Sequence, residues 1–201
     1  MTKVKNQENN LASDKVLEKI ICEIPKPEIK STNNVFHDLI SCILEQQIHY
    51  RSTKNIFQKM LNASGLERLT PDNFHQFEEN SFGNIKLSIR KYETVLRVLE
   101  FWVENNIDWF LLTDLEVIEK LTSIKGIGRW TIDMILLYSL NRTNIIPYDD
   151  YHLKQVMVSL YNLNPKVKLK AQMLEISENW EGQKSLAVLY LLAWKQHNKG
   201  K

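Results

Sequence analysis

A Gly126-Ile127-Gly128 turn set between two apolar segments of helical spacing constrains this fold more than any other stretch. Ile124, Ile127, Thr131, Ile135 and Tyr138 recur at intervals of three or four residues, so the turn joins two short helices into a hairpin over about residues 115–140. Glycines at both ends of the turn permit positive φ and leave bare N–H groups at the start of the second helix. Unpaired donors and the helix dipole favour an anion such as phosphate there. Further on, Pro147-Tyr148-Asp149-Asp150 opens another helix and carries two carboxylates. Neighbouring residues on a helix do not share a face, so one acid caps the helix and the other is left for chemistry. Spacing alone does not say which.

The rest of the chain is also helical in pattern. Val16, Ile20, Ile21 and Ile24 predict a helix ended by Pro25 and Pro27, and Val35, Leu39, Ile40, Ile43 and Leu44 predict another. That second pattern breaks at the polar run Glu45-Gln46-Gln47, and a further helix is expected from about Tyr50 to Leu61. Thr70-Pro71-Asp72 reads as a helix start with proline at its first position, and a long helix is expected from Lys86 to about Glu104. Thr113-Asp114-Leu115-Glu116 has the form of a capping box. Three more helices are expected after the aspartates, reaching Leu160, running near Lys168 to Trp180, and running from Lys184 to Gln196. Asn144-Ile145-Ile146-Pro147 could be at most a connecting strand. The expected class is all-α, with a flexible tail over residues 1–12 and one domain over 13–201.

Composition narrows the function classes. At 201 residues the chain can bury a core without staples, and 43% apolar with 25% charged residues is ordinary for a soluble globular protein. A formal net charge of +2 says little about partners, since a local basic patch would serve a small nucleic-acid footprint. Cys22 and Cys42 cannot build a metal cage alone and read as buried free thiols of a reducing compartment. The polar start MTKVKNQENN carries no secretory signal, and no stretch has the length of a membrane span, so a cytoplasmic location is expected.

Ile124-Lys125-Gly126-Ile127-Gly128-Arg129-Trp130-Thr131 and Pro147-Tyr148-Asp149-Asp150-Tyr151 together resemble the helix-hairpin-helix DNA glycosylases, and within them the 3-methyladenine DNA glycosylase II group. The resemblance runs from about Phe36 to Trp194. It implies two helical lobes with a cleft between them, and too few residues precede Phe36 for the extra β domain of many relatives. It implies a monofunctional enzyme of base excision repair, bound as a monomer to double-stranded DNA with alkylated bases. Its setting would be the nucleoid of a prokaryote or the nucleus of a eukaryote.

The resemblance also assigns residues. The catalytic aspartate of the family precedes a Tyr-x-x-Lys-Gln stretch, which makes it Asp150. Bifunctional relatives carry a Schiff-base lysine just after the Gly-x-Gly-Arg turn, where this chain has Trp130, so no lyase step is expected. Trp130, Tyr151 and Met134 would form the base pocket. Gln46, Gln47 and His49 fall where the family places its minor-groove probe and wedge. Lys125, Gly126, Gly128, Arg129 and Thr131 would grip phosphate. Lys184 replaces an arginine of a family pattern near Trp180 to Ser185. The hairpin could bind a monovalent cation. No iron–sulfur cluster is expected, because no cysteine follows Cys42. The alternatives are a damaged-DNA-binding module without catalysis and a glycosylase for another lesion.

Overall fold

A computed structural model describes residues 11, 13–29, 31–45, 56–84 and 87–198. The chain divides into two compact units. One is continuous, Ser31–Leu140, and the other is assembled from Met1–Lys30 and Asn141–Lys201. Among the described residues every regular element is helical.

The continuous unit is built on α2 (Val35–Glu45), whose buried residues Val35, Phe36, Leu39, Ile40, Cys42, Ile43 and Leu44 go nearly all the way round. A helix apolar on most sides must be surrounded. It packs against α3 (Ile56–Ala63), α5 (Ile89–Glu104), α7 (Arg129–Met134) and the π turn that follows, Ile135–Ser139. Between them run α4 (Phe74–Ser81) and α6 (Asp114–Ser123). Phe57, Phe77, Phe82 and Tyr92 form a chain of edge-on ring contacts with centroids 5.5–5.7 Å apart. Fully burying a side chain such as Phe77 contributes about 2–3 kcal/mol. Ser31 Oγ donates to the Ser139 carbonyl at 2.7 Å, tying the two ends of this unit together.

The two-segment unit contains α1 (Lys15–Glu23), α8 (Tyr151–Leu160), α9 (Leu169–Glu178) and α10 (Lys184–His197), with α10 packed on both α1 and α8. Asp14 joins the segments. Its Oδ1 caps α1 through the Val16 and Leu17 N–H groups, and its Oδ2 accepts from Tyr161 Oη and Trp180 Nε1, both at 2.9 Å. Leu11, at the end of the expected tail, is fully buried.

Several expectations need correction. Pro71 does not begin a helix: α4 starts at Phe74, because Asn73 takes the Thr70 N–H on its side chain and the Phe74 N–H returns to Pro71 O. The long helix starts at Ile89, where Ser88 caps it, and Lys86 lies outside the described residues. Cys42 is buried and its thiol is pushed up by burial, but Cys22 is exposed, because α1 turns Leu17, Ile20 and Ile24 inward instead. Residues 144–147 form no strand, which agrees with the all-α expectation.

Candidate active site

The hairpin belongs to the continuous unit. Thr113 opens α6 with the expected capping box: its N–H and its hydroxyl both donate to Glu116 Oε2 at 2.7 Å, and the Glu116 N–H returns to Thr113 Oγ1. Those bonds hold the Glu116 carboxyl below the usual carboxylate range. The turn closes through the Ile124 N–H to Leu121 O at 3.3 Å and the Ile127 N–H to Ile124 O at 3.1 Å. Ile124 and Ile127 are buried, which leaves Lys125, Gly126, Gly128 and Arg129 on the surface. Gly126 sits at φ +108°, and a Cβ there would lie 2.4 Å from Thr94 Oγ1 on α5. Gly128 has ordinary extended backbone, φ −98°, so positive φ is needed at Gly126 only.

Arg129 Nε donates to Asp133 Oδ1 at 2.8 Å, and Asp133 has no exposed surface. Trp130 is half-buried, whereas Thr131 and Met134 are core residues of α7 at 0% and 2% exposure. Sequence reasoning missed Asp133, although its i,i+4 spacing from Arg129 was the signal.

Asp150 belongs to the two-segment unit. Its N–H donates to Pro147 O at 2.8 Å, which tightens the turn, and its Oδ1 accepts the Leu153 N–H at 2.8 Å as the N-cap of α8. The residue is 8% exposed. Asp149 is exposed and pairs with Lys154 at 3.3 Å. The cap is therefore Asp150, the residue to which the resemblance assigns catalysis, and not its neighbour Asp149. Capping uses one of two carboxylate oxygens, and a negative charge is well placed at a helix N-terminus.

Tyr151 follows, 63% exposed. Gln155 Nε2 donates to its hydroxyl at 2.6 Å, and Lys195 Nζ donates to Gln155 Oε1 at 2.5 Å. The same ammonium lies 3.0 Å from His152 Nδ1 and 5.8 Å from the Tyr151 ring centre. Gln155 was recoverable from its i,i+4 spacing to Tyr151. Lys195, on another helix, had no sequence signal.

Gln46, Gln47 and His49 lie outside the described residues. On either side of them, Lys91 Nζ donates to Leu44 O at 3.0 Å and Glu45 Oε1 accepts the Phe57 N–H at 3.3 Å. Lys184 pairs with Glu181, and Ser185 Oγ bonds Arg142 O and the Ile145 N–H, so this stretch straps residues 142–145 onto α10. Among the described residues, no three His, Cys, Asp or Glu side chains are grouped to hold a metal, and no helix is long and apolar enough to cross a membrane.

No family model matches the chain. It is 31% identical over 165 residues to DNA-3-methyladenine glycosylase 1 of Schizosaccharomyces pombe, an alignment covering 80% of this chain and 71% of that protein. Its fold is similar to that of a 3-methyladenine DNA glycosylase of the same yeast, solved in complex with abasic DNA. The TM-score is 0.79 at 26% identity, with 95% and 97% of the two chains covered. It shares the fold, at 22% identity and TM-score 0.75, of an 8-oxoguanine glycosylase/lyase of Clostridium acetobutylicum, covering 96% of this chain and 70% of that one. With the hairpin, the all-helical architecture and this degree of identity to the yeast glycosylase, the chain belongs to the helix-hairpin-helix DNA glycosylases.

Proposed function

We propose that this protein is a monofunctional DNA glycosylase of base excision repair, of the 3-methyladenine DNA glycosylase II type, which hydrolyses the N-glycosidic bond of alkylated purines flipped out of duplex DNA. The observation that carries the reading is the Asp150 carboxylate, buried and fixed by the Leu153 N–H at the start of α8. A fixed carboxylate stabilises the positive charge that grows at the anomeric carbon as the base departs, and it takes a proton from the attacking water. Water oxygen bonds to that carbon while the carbon–nitrogen bond breaks, and the base leaves with the electron pair. An N3- or N7-alkylated purine is already cationic, so it leaves neutral and needs no general acid. Trp130 offers an indole face for an electron-poor base, and Tyr151 an exposed ring. The exposed Lys125, Gly126, Gly128 and Arg129 suit a phosphate contact. An indole is no nucleophile, so Trp130 supports hydrolysis without strand cleavage.

The test is base release from duplex DNA methylated to give mainly 7-methylguanine and 3-methyladenine, with Asp150→Asn in parallel. Asparagine is an equally good N-cap, so the variant keeps its fold and loses the charge. The expected result is free methylpurine, an intact abasic strand, no borohydride-trapped adduct, and a loss of at least about a hundredfold in the variant. Full activity in Asp150→Asn ends the assignment. One observation favours a second reading, a damaged-DNA-binding module: the cap gives Asp150 a structural reason to be present without catalysis. Tight binding of the methylated duplex with no release of any base would select it.

A further inference from the structure

The contacts around Tyr151 go beyond that reading and rest on it. An exposed phenol at the first turn of a helix ordinarily samples several rotamers. Here Gln155, one turn along α8, fixes the Tyr151 oxygen through its amide N–H at 2.6 Å. Gln155 is itself fixed from α10, since the Lys195 ammonium donates to its Oε1 at 2.5 Å. Lys195 is held in turn by His152, through the backbone carbonyl at 3.4 Å and Nδ1 at 3.0 Å. The donor sequence is therefore Lys195 to Gln155 to Tyr151, each bond polarised by the charge at its head. A phenol oxygen that accepts the Gln155 N–H has its own proton left to give.

We propose that Gln155 and Lys195 are positioning residues, which hold the Tyr151 ring in one orientation at the start of α8 and make its hydroxyl a directed donor to an acceptor atom of the bound DNA. The order of donation matters more than the presence of the contacts. Replacing the Gln155 amide by a carboxylate would keep the partner of Lys195 and pair two charges, but it would remove the N–H that Tyr151 accepts. The phenol would then donate to the carboxylate and lose its outward proton. A network that only stabilises the fold would survive Gln155→Glu. A directed donor would not.

The experiment measures binding to a duplex with an uncleavable abasic analogue, and kcat and KM for methylpurine release, for Tyr151→Phe, Gln155→Leu, Gln155→Glu and the Tyr151→Phe/Gln155→Leu pair. Thermal melts run alongside. Each single variant is expected to weaken binding and raise KM by about three- to tenfold with kcat nearly unchanged, as loss of one hydrogen bond does. The double variant should be no worse than the worse single one, the mark of a shared pathway. Gln155→Glu should share the defect at undiminished melting temperature. Wild-type binding in Tyr151→Phe, rescue by Gln155→Glu, or additive losses would each overturn the inference while leaving the glycosylase reading intact. A wild type that releases no base overturns the glycosylase reading instead, and the binding series alone then decides this one.

Discussion

At Gly126 two demands meet that no other residue satisfies. The backbone is left-handed at φ +108°, and Thr94 of α5 occupies the space a β-carbon would need. Strain from the backbone and overpacking against Thr94 act together, so Gly126→Ala is expected to cost about 2–4 kcal/mol, read as a lower urea midpoint at unchanged slope. Gly128→Ala, with ordinary φ and open space around its added methyl, should stay within about 1 kcal/mol. Equal effects at the two glycines would show that the turn adapts to a side chain. The two look alike in sequence, and only the approach of α5 separates them. The same holds for Asp149 and Asp150, where the turn bond from the Asp150 N–H to Pro147 O selects which carboxylate caps α8.

Among the elements, α1 owes most to one side chain. Asp14 caps it with one oxygen and receives Tyr161 and Trp180 on the other, so Asp14→Asn keeps an oxygen for the cap and turns an amide donor toward two donors. Leaving such groups unsatisfied is expected to cost about 2–4 kcal/mol by urea unfolding. Burial first, and then the charge and hydrogen bond of Asp14, raise the Tyr161 phenol above its usual value. The folded protein then keeps that proton where the unfolded chain releases it. Stability from this group is complete below about pH 10 and falls above it by up to about 1.4 kcal/mol per unit. Tyr161→Phe should remove that part of the alkaline slope, and an unchanged slope would place the titration elsewhere.

Helix positions were largely legible from apolar spacing, and the Thr113 box was legible to the residue, because both depend on neighbours within one turn. The start at Pro71 was misread, since Asn73 competes for the same local N–H groups. Cys22 was misread because spacing alone did not fix which side of α1 faces the core. Asp14 and Lys195 were invisible for a different reason: their partners lie far along the chain.

Over the whole molecule, the continuous unit carries the hairpin and the two-segment unit carries Asp150. The fragment Ser31–Leu140 has its own core and the Ser31–Ser139 bond at its ends. Expressed alone, it is expected to be helical by circular dichroism and to unfold cooperatively in urea. A fragment of Asn141–Lys201 lacks α1, on which α10 packs, and should show neither property. Cooperative unfolding of the second fragment would mean that α1 is dispensable to its core.

The bond between Ser31 and Ser139 also bears on how the protein is made. A ribosome releases the chain from its N-terminus, so α1 emerges ahead of the continuous unit and must wait while that whole unit is synthesised behind it. That unit can fold as soon as Ser139 clears the exit tunnel and meets Ser31. The acid-bearing unit closes only after α10 arrives, so it assembles later than the continuous unit whose residues it brackets.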